Sequence, residues 1–214
     1  MLVMGVSISV AFLADLERND PDGAVYHRRA FERLSAALAQ EGIAWREPDA
    51  PDTRPVSAGM PYGYLHHLRR VFVLHKYGRT VTSAHATDPD QYDLDMGRVN
   101  DETTLFSSHL LCHADSEGYY VPVDFGDPLF LPEQANVAGG GIVGSSQRLR
   151  AELAFIAPAL GIKADGTGAV PQRELARLAA TPPDDPFEPE LFAWHRLYRA
   201  CTVSISSGHA VVFH

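Results

Sequence analysis

The sequence predicts an α+β fold: a small mixed or antiparallel sheet packed against several helices in a single domain. Three observations carry this expectation. Short stretches at residues 6–12 and 119–125 alternate with the period of half-buried strands, and the apolar run 210–213 can return as another. Longer stretches with apolar residues every three or four positions have the period of helices. The two kinds do not alternate in the regular βαβ order of a doubly wound sheet. A chain of 214 residues, 45% hydrophobic and 21% charged, fits one packed domain and no repeat array.

The first strand is read from Val6, Ile8, Val10 and Phe12 alternating with Ser7, Ser9 and Ala11. Asn19-Asp20-Pro21-Asp22 then supplies a helix cap with an early proline, and Phe31, Leu34 and Leu38 fall at helical spacing before Gly42. Ile43 and Trp45 suggest a short second strand. Residues 47–61, with four prolines and no periodicity, read as a loop. A helix over 62–77 carries Leu65, Leu68, Phe72 and His75 on one face. Residues 86–102 read as an acidic loop, with Asn100 or Asp101 capping a third helix through His113; a strand over 107–113 is the competing reading. Tyr119, Val121, Val123 and Phe125 alternate as a strand, although Pro122 suits an edge or a bulge. A helix starts near Ser145, a short one spans 171–180, and 181–190 is a second proline-rich acidic loop. The last helix shows Leu191, Trp194, Tyr198, Cys201 and Ile205 before Gly208, and 210–213 returns as a strand beside the first.

Charge narrows the function classes. The chain has 18 Lys and Arg against 27 Asp and Glu, a net charge of -9. That balance makes a nucleic acid an unlikely partner and favours a basic protein partner. The excess is local: residues 86–102 hold six acids and one base, and residues 181–190 hold four acids and no base. Two distant cysteines, Cys112 and Cys201, exclude a disulfide framework, and the N-terminus lacks the basic and apolar regions of a signal peptide. With no membrane span, the expected address is the cytoplasm. The dominance of Arg, 16 of the 18 basic residues, together with abundant Ala, suits a GC-rich bacterial genome.

The densest polar segment is 107–120. On a helix, His109 and His113 share a face one turn apart, so they can hold a divalent metal with Asp115 or Glu117 completing the shell. Against this, Leu110 stands where a metalloprotease helix carries its glutamate. Cys112 with His113 is a weaker nucleophile and base pair, because adjacent side chains diverge. Gly139-x-Gly141-x-x-Gly144 matches a dinucleotide fingerprint, yet the preceding residues are polar and contain proline, so no cofactor is assigned. Asp88, Asp90, Asp93 and Asp95 lack the spacing and central glycine of a calcium loop.

Residues 108–125, SHLLCHADSEGYYVPVDF, and 139–149, GGGIVGSSQRL, resemble a group of uncharacterised bacterial proteins. That resemblance implies no activity. Where the group often carries Cys, this chain has Ser116, which removes a second thiol. Two functional expectations follow. The first is a soluble interaction module of the immunity or regulatory type, whose contact surface includes the acidic loops and residues 109–120. The second is a hydrolase in which His109, His113 and Asp115 act with a loop at 139–146. There Gly140, Gly141, Ser145 and Ser146 would receive an anion or oxyanion beside Tyr120 and Glu117.

Overall fold

The computed structural model describes residues 5–49, 54–165 and 169–214. Its centre is one six-stranded mixed sheet, and helices cover both faces. The strands are β1 (Gly5–Val10), β2 (Val56–Pro61), β3 (Gly118–Val121), β4 (Leu129–Phe130), β5 (Ile142–Ser145) and β6 (Val211–Phe213). Their order is β2-β1-β6-β3-β5-β4, and only β3 and β5 run parallel. The returning C-terminal strand does lie beside the first: Val10 faces Val211 in the β1–β6 register.

Alternation along the strands divides the core. Tyr119, Val121, Val143 and Val212 point to one face, where α1 (Phe12–Asn19) and α2 (Pro21–Gln40) cover them with Phe12, Phe31, Leu34 and Leu38. Ile8, Val10, Tyr120, Val211 and Phe213 point to the other. That face is covered by α3 (Tyr64–Lys76), α6 (Ser146–Ile156) and α8 (Glu188–Ser207), whose Leu68, Leu153 and Trp194 are fully buried. The helices α4 (Pro89–Thr103), α5 (His109–Cys112) and α7 (Gln172–Ala179) pack around this second layer.

Several elements differ from expectation. Phe12 begins α1 instead of ending β1, because Ala11 turns the chain in the left-handed region at φ 56°. Ile43 and Trp45 form no strand; Ile43 caps the α2 core, and the Trp45 indole donates to the Gly208 carbonyl at 3.0 Å. Within the expected 47–61 loop, residues 56–61 form edge strand β2, while residues 50–53 lie outside the described set. The expected strand over 119–125 stops at Val121, and Pro122 follows it; β3 is central, so the proline marks its end and not an edge. The largest correction concerns 86–102, which is mostly helix α4 and not a loop. Asp88 caps it by accepting from the Asp90 and Gln91 amides, and Pro89 occupies the first turn. The helix expected through His113 instead ends at Thr103, and only the single turn of α5 follows.

Candidate functional site

The two polar motifs meet at the middle of the sheet. Tyr120 pairs with Gly144 and Val121 with Ser145 across the parallel β3–β5 ladder. A Cβ on Gly144 would lie 2.2 Å from the Tyr120 ring, and one on Gly141 would lie 2.6 Å from the Leu131 carbonyl oxygen. These glycines let backbone and ring close together. The fingerprint reading fails on topology: Gly139 and Gly141 precede β5 and Gly144 lies inside it, so no glycine turn links a strand to a following helix.

Most of the candidate residues then find partners inside this junction. His109 accepts the Ser145 amide on Nδ1 at 2.9 Å, and its Nε2 bonds the Gly126 carbonyl at 3.0 Å. Both nitrogens are used, and burial lowers its pKa. His113 is the extended cap after α5, not a residue one helical turn above His109. Its Nδ1 bonds the Ala114 carbonyl at 2.7 Å, its ring stacks on Tyr120 at 4.1 Å, and burial brings its pKa down to about 3. The Tyr120 hydroxyl donates to the His109 carbonyl. Cys112 is buried with its thiol pushed up in pKa by desolvation, facing the Thr103 carbonyl. Ser145 caps α6 by accepting the Arg148 amide, and Ser146 bonds the Ser204 hydroxyl at 2.8 Å. Gly140 and Glu117 are exposed, whereas Gly141 is buried.

Asp115 pairs with Arg69 and, at 3.0 Å, with His66. Burial alone would raise its carboxyl, but His66 and the Arg69 charge bring it down to about 2. Arg69, in the basic stretch 66–70 of α3, was missed in this role: it clamps the whole segment. Its guanidinium also donates to the Leu110 carbonyl at 2.9 Å and the His113 carbonyl at 2.5 Å. Glu152 was missed as well. It accepts the His109 and Leu110 amides at 2.9 and 2.7 Å and the Ser108 hydroxyl, capping α5, while burial pushes its carboxyl up to about 7. Neither residue stands in a motif that announces it. Among the described residues no three His, Cys, Asp or Glu side chains gather as a metal shell.

The other charged region is built around α4. Its inner face carries Tyr92, Asp95, Met96, Val99 and Glu102, so two helix-core positions are carboxylates. Asp95 is bonded by Arg70 at 2.9 Å, by Arg98 at 2.6 Å and by Gln91 at 2.8 Å. Glu102 takes Lys76 and the Tyr77 hydroxyl. Arg70, itself fully buried, also donates to Thr82 and Thr87 and lies over the Tyr92 ring. The outer face keeps Asp88, Asp90, Asp93 and Asp101 exposed. Among the described residues no cation pairs with Asp90, Asp93 or Asp101, because Arg98 is turned onto Asp95.

The second acidic segment adjoins the N-terminal half of α4. Glu190, at the start of α8, accepts the Ala84 amide at 2.8 Å, and Tyr64 donates to Glu188 at 2.9 Å. His67, on the same helix as Tyr64, bonds the Tyr92 hydroxyl at 2.7 Å. The two segments that hold the sequence's charge excess therefore flank α3 together, with Asp184 exposed beside them.

A family model described as "Putative DNA-mimic protein" matches residues 4–213. No curated protein and no solved structure matches the chain. Among the described residues no helix is long and apolar enough to cross a membrane. The family assignment corrects both functional expectations. The immunity or regulatory module with an unspecified basic partner gives way to imitation of DNA, and so does the hydrolase built on His109, His113 and Asp115. Nucleic acid, set aside on net charge, returns as the molecule that the family's description names: the same negative charge that repels DNA is what a DNA-like surface requires.

Proposed function

The chain belongs to this DNA-mimic family, and on that premise we propose that it occupies the DNA-binding surface of a DNA-binding protein. The exposed face of α4 stands in for phosphates. The observation that carries this reading is the fate of Arg98. The only cation on α4 bonds an inward carboxylate, so Asp90, Asp93 and Asp101 face solvent without an ion-pair partner, beside the exposed cap Asp88. A carboxylate, like a phosphodiester, presents one negative charge on acceptor oxygens to Lys and Arg.

Density is where the imitation is partial. At 1.5 Å per residue, Asp88 to Asp101 spans about 20 Å of helix axis and shows four exposed carboxylates. One DNA strand of that length carries about six phosphates. We place this activity in the bacterial cytoplasm, where the target proteins meet DNA, and take the 108–125 and 139–149 motifs as the scaffold that fixes the sheet beneath α3 and α4.

The test is displacement. Extract of the cells that encode the protein is loaded on DNA matrices, single- and double-stranded, and eluted with purified protein. Specific DNA-binding proteins are expected in the eluate, and the triple substitution Asp90→Asn, Asp93→Asn, Asp101→Asn should weaken elution. Retention of every bound protein on both matrices, or equal elution by the triple variant, overturns the reading.

A further inference from the structure

We propose that the surface imitated is that of single-stranded DNA, with Leu105, Phe106 and Phe130 standing in for unstacked bases at the end of the α4 carboxylate row; this rests on the DNA-mimic reading above. The three side chains are 59%, 55% and 48% exposed, a clustering of large apolar groups that a solvated surface does not need. They begin where α4 ends. Leu105 and Phe106 donate their amides to the Glu102 and Thr103 carbonyls, so a tight turn closes α4 and the chain leaves the helix at Phe106. Asp101 and Leu105 line one shallow groove together with Arg79 and Arg98, and Asp101 lines a second with Asp90, Asp93, Leu94 and Arg98, so the carboxylates and the apolar end share adjoining grooves that also hold two guanidinium groups.

The rings are held outward. Phe106 has φ 54°, a left-handed conformation that is costly for any residue but glycine. Its ring meets Phe130 edge to face, with centroids 5.0 Å apart. Phe130 projects from β4, one of the two edge strands of the sheet, so the ring that Phe106 meets is anchored to the sheet.

A duplex and a single strand offer different patterns. A duplex hides its base faces in the stack and shows two phosphate strands, one charge per about 1.7 Å of axis. A single strand shows one line of charge with π-faces beside it. Proteins that bind it combine a cationic track with aromatic platforms. One sparse row of carboxylates on one helix, ending in a pair of accessible rings, matches the second pattern. The complementary occupant is a single-strand-binding surface whose aromatic side chains meet Phe106 and Phe130 while its cations meet Asp90, Asp93 and Asp101.

The experiment uses the full chain to elute extract proteins from single-stranded and double-stranded DNA matrices in parallel. Elution from the single-stranded matrix is expected, with Phe106→Ala and Phe130→Ala each raising the amount of chain needed by about tenfold. Leu105→Ser, at a more exposed position, should act in the same direction, and circular dichroism confirms that each variant is folded. Elution from the duplex matrix alone overturns this inference and leaves the DNA-mimic reading standing. Elution from neither overturns both. Undiminished elution by the folded Phe106 and Phe130 variants, or a dimer of the chain in sedimentation that these substitutions dissociate, also overturns the inference.

Discussion

The Ser145 amide donates to Nδ1 of His109 at 2.9 Å, so the neutral ring carries its proton on Nε2 and gives it to the Gly126 carbonyl. One imidazole thus ties the β5–α6 junction to both α5 and the 122–128 loop. The ring is buried and works as a structural clip. His109→Ala leaves a buried donor and a buried acceptor unpaired, and we expect a loss of about 2–4 kcal/mol in urea unfolding. An unchanged unfolding midpoint would show that the junction does not depend on this ring.

Acid should weaken the fold. Burial brings His67 to about 4, His113 to about 3 and His195 to about 4, all below the ordinary 6.5. The unfolded chain takes up these protons first, so their stabilising effect is complete above about pH 6.5 and is lost as pH falls through the interval to about 3–4. Glu152 opposes them. Its carboxyl lies near 7 instead of the ordinary 4.5, so its contribution is present below 4.5 and is lost as pH rises through about 7. Three histidines outweigh one carboxyl, and the urea midpoint should fall from pH 7 to pH 4.5. In Glu152→Gln that fall should steepen. A midpoint that rises on acidification would contradict the neutral, buried state of the histidines.

Gly144 should tolerate no side chain. Its added Cβ would meet the Tyr120 ring at 2.2 Å, and that ring is itself stacked on His113 and bonded to the His109 carbonyl. Overpacking of this kind costs about 1–3 kcal/mol or more. Gly140→Ala meets open space but keeps φ 66°, so only the smaller left-handed penalty applies. Thermal unfolding of the two variants side by side should rank Gly144→Ala well below Gly140→Ala. Equal melting temperatures would mean that Tyr120 can move aside.

The inward ions of α4 should matter to stability and the outward ones should not. Removing Asp95 leaves Arg70 buried without its carboxylate, and breaking a buried pair in this way costs about 3–5 kcal/mol. Asp93→Ala, on the exposed face, should stay within about 0.5 kcal/mol of the parent. Denaturant titration separates the two. A mild Asp95→Ala would show that α4 is held by Val99 and Met96 alone.

The same helix shows what the sequence conceals. Periodicity reveals α3, α6 and α8 because Leu68, Leu153 and Trp194 bury hydrocarbon at helical spacing. In α4 two of the inward positions are Asp95 and Glu102, and their partners Arg70 and Lys76 lie on a different helix. A pattern of apolar residues cannot register a stripe made of ions, so an acidic loop was the natural expectation. The strands β4 and β5, of two and four residues, are too short to show a period of two. The motif 107–120 was legible as a dense polar segment. Whether its side chains face a cleft or one another depended on Arg69 and Glu152, which lie 41 and 42 residues away from their partner Leu110. The acidic segments were visible as a charge count, and the hydrogen bond that ties buried Glu190 to Ala84, just ahead of α4, was not.

Salt should favour this protein over DNA in competition for a common partner. DNA releases condensed counterions when cations bind it, so affinities that rest on 6–10 phosphate contacts fall by roughly 10³–10⁵ between 50 and 200 mM salt. The exposed carboxylates of α4 are sparser than phosphates and lose less on the same change, while any contact made by Phe106 and Phe130 is nearly indifferent to salt. Less protein per unit of DNA should therefore release a bound partner at 200 mM than at 50 mM. Substituting Phe106 and Phe130 by Ala should shrink that advantage, and substituting Asp90, Asp93 and Asp101 by Asn should weaken release at low salt most. If more protein is needed at high salt, its association is at least as electrostatic as that of DNA itself, and the apolar end of the α4 surface takes no part in binding.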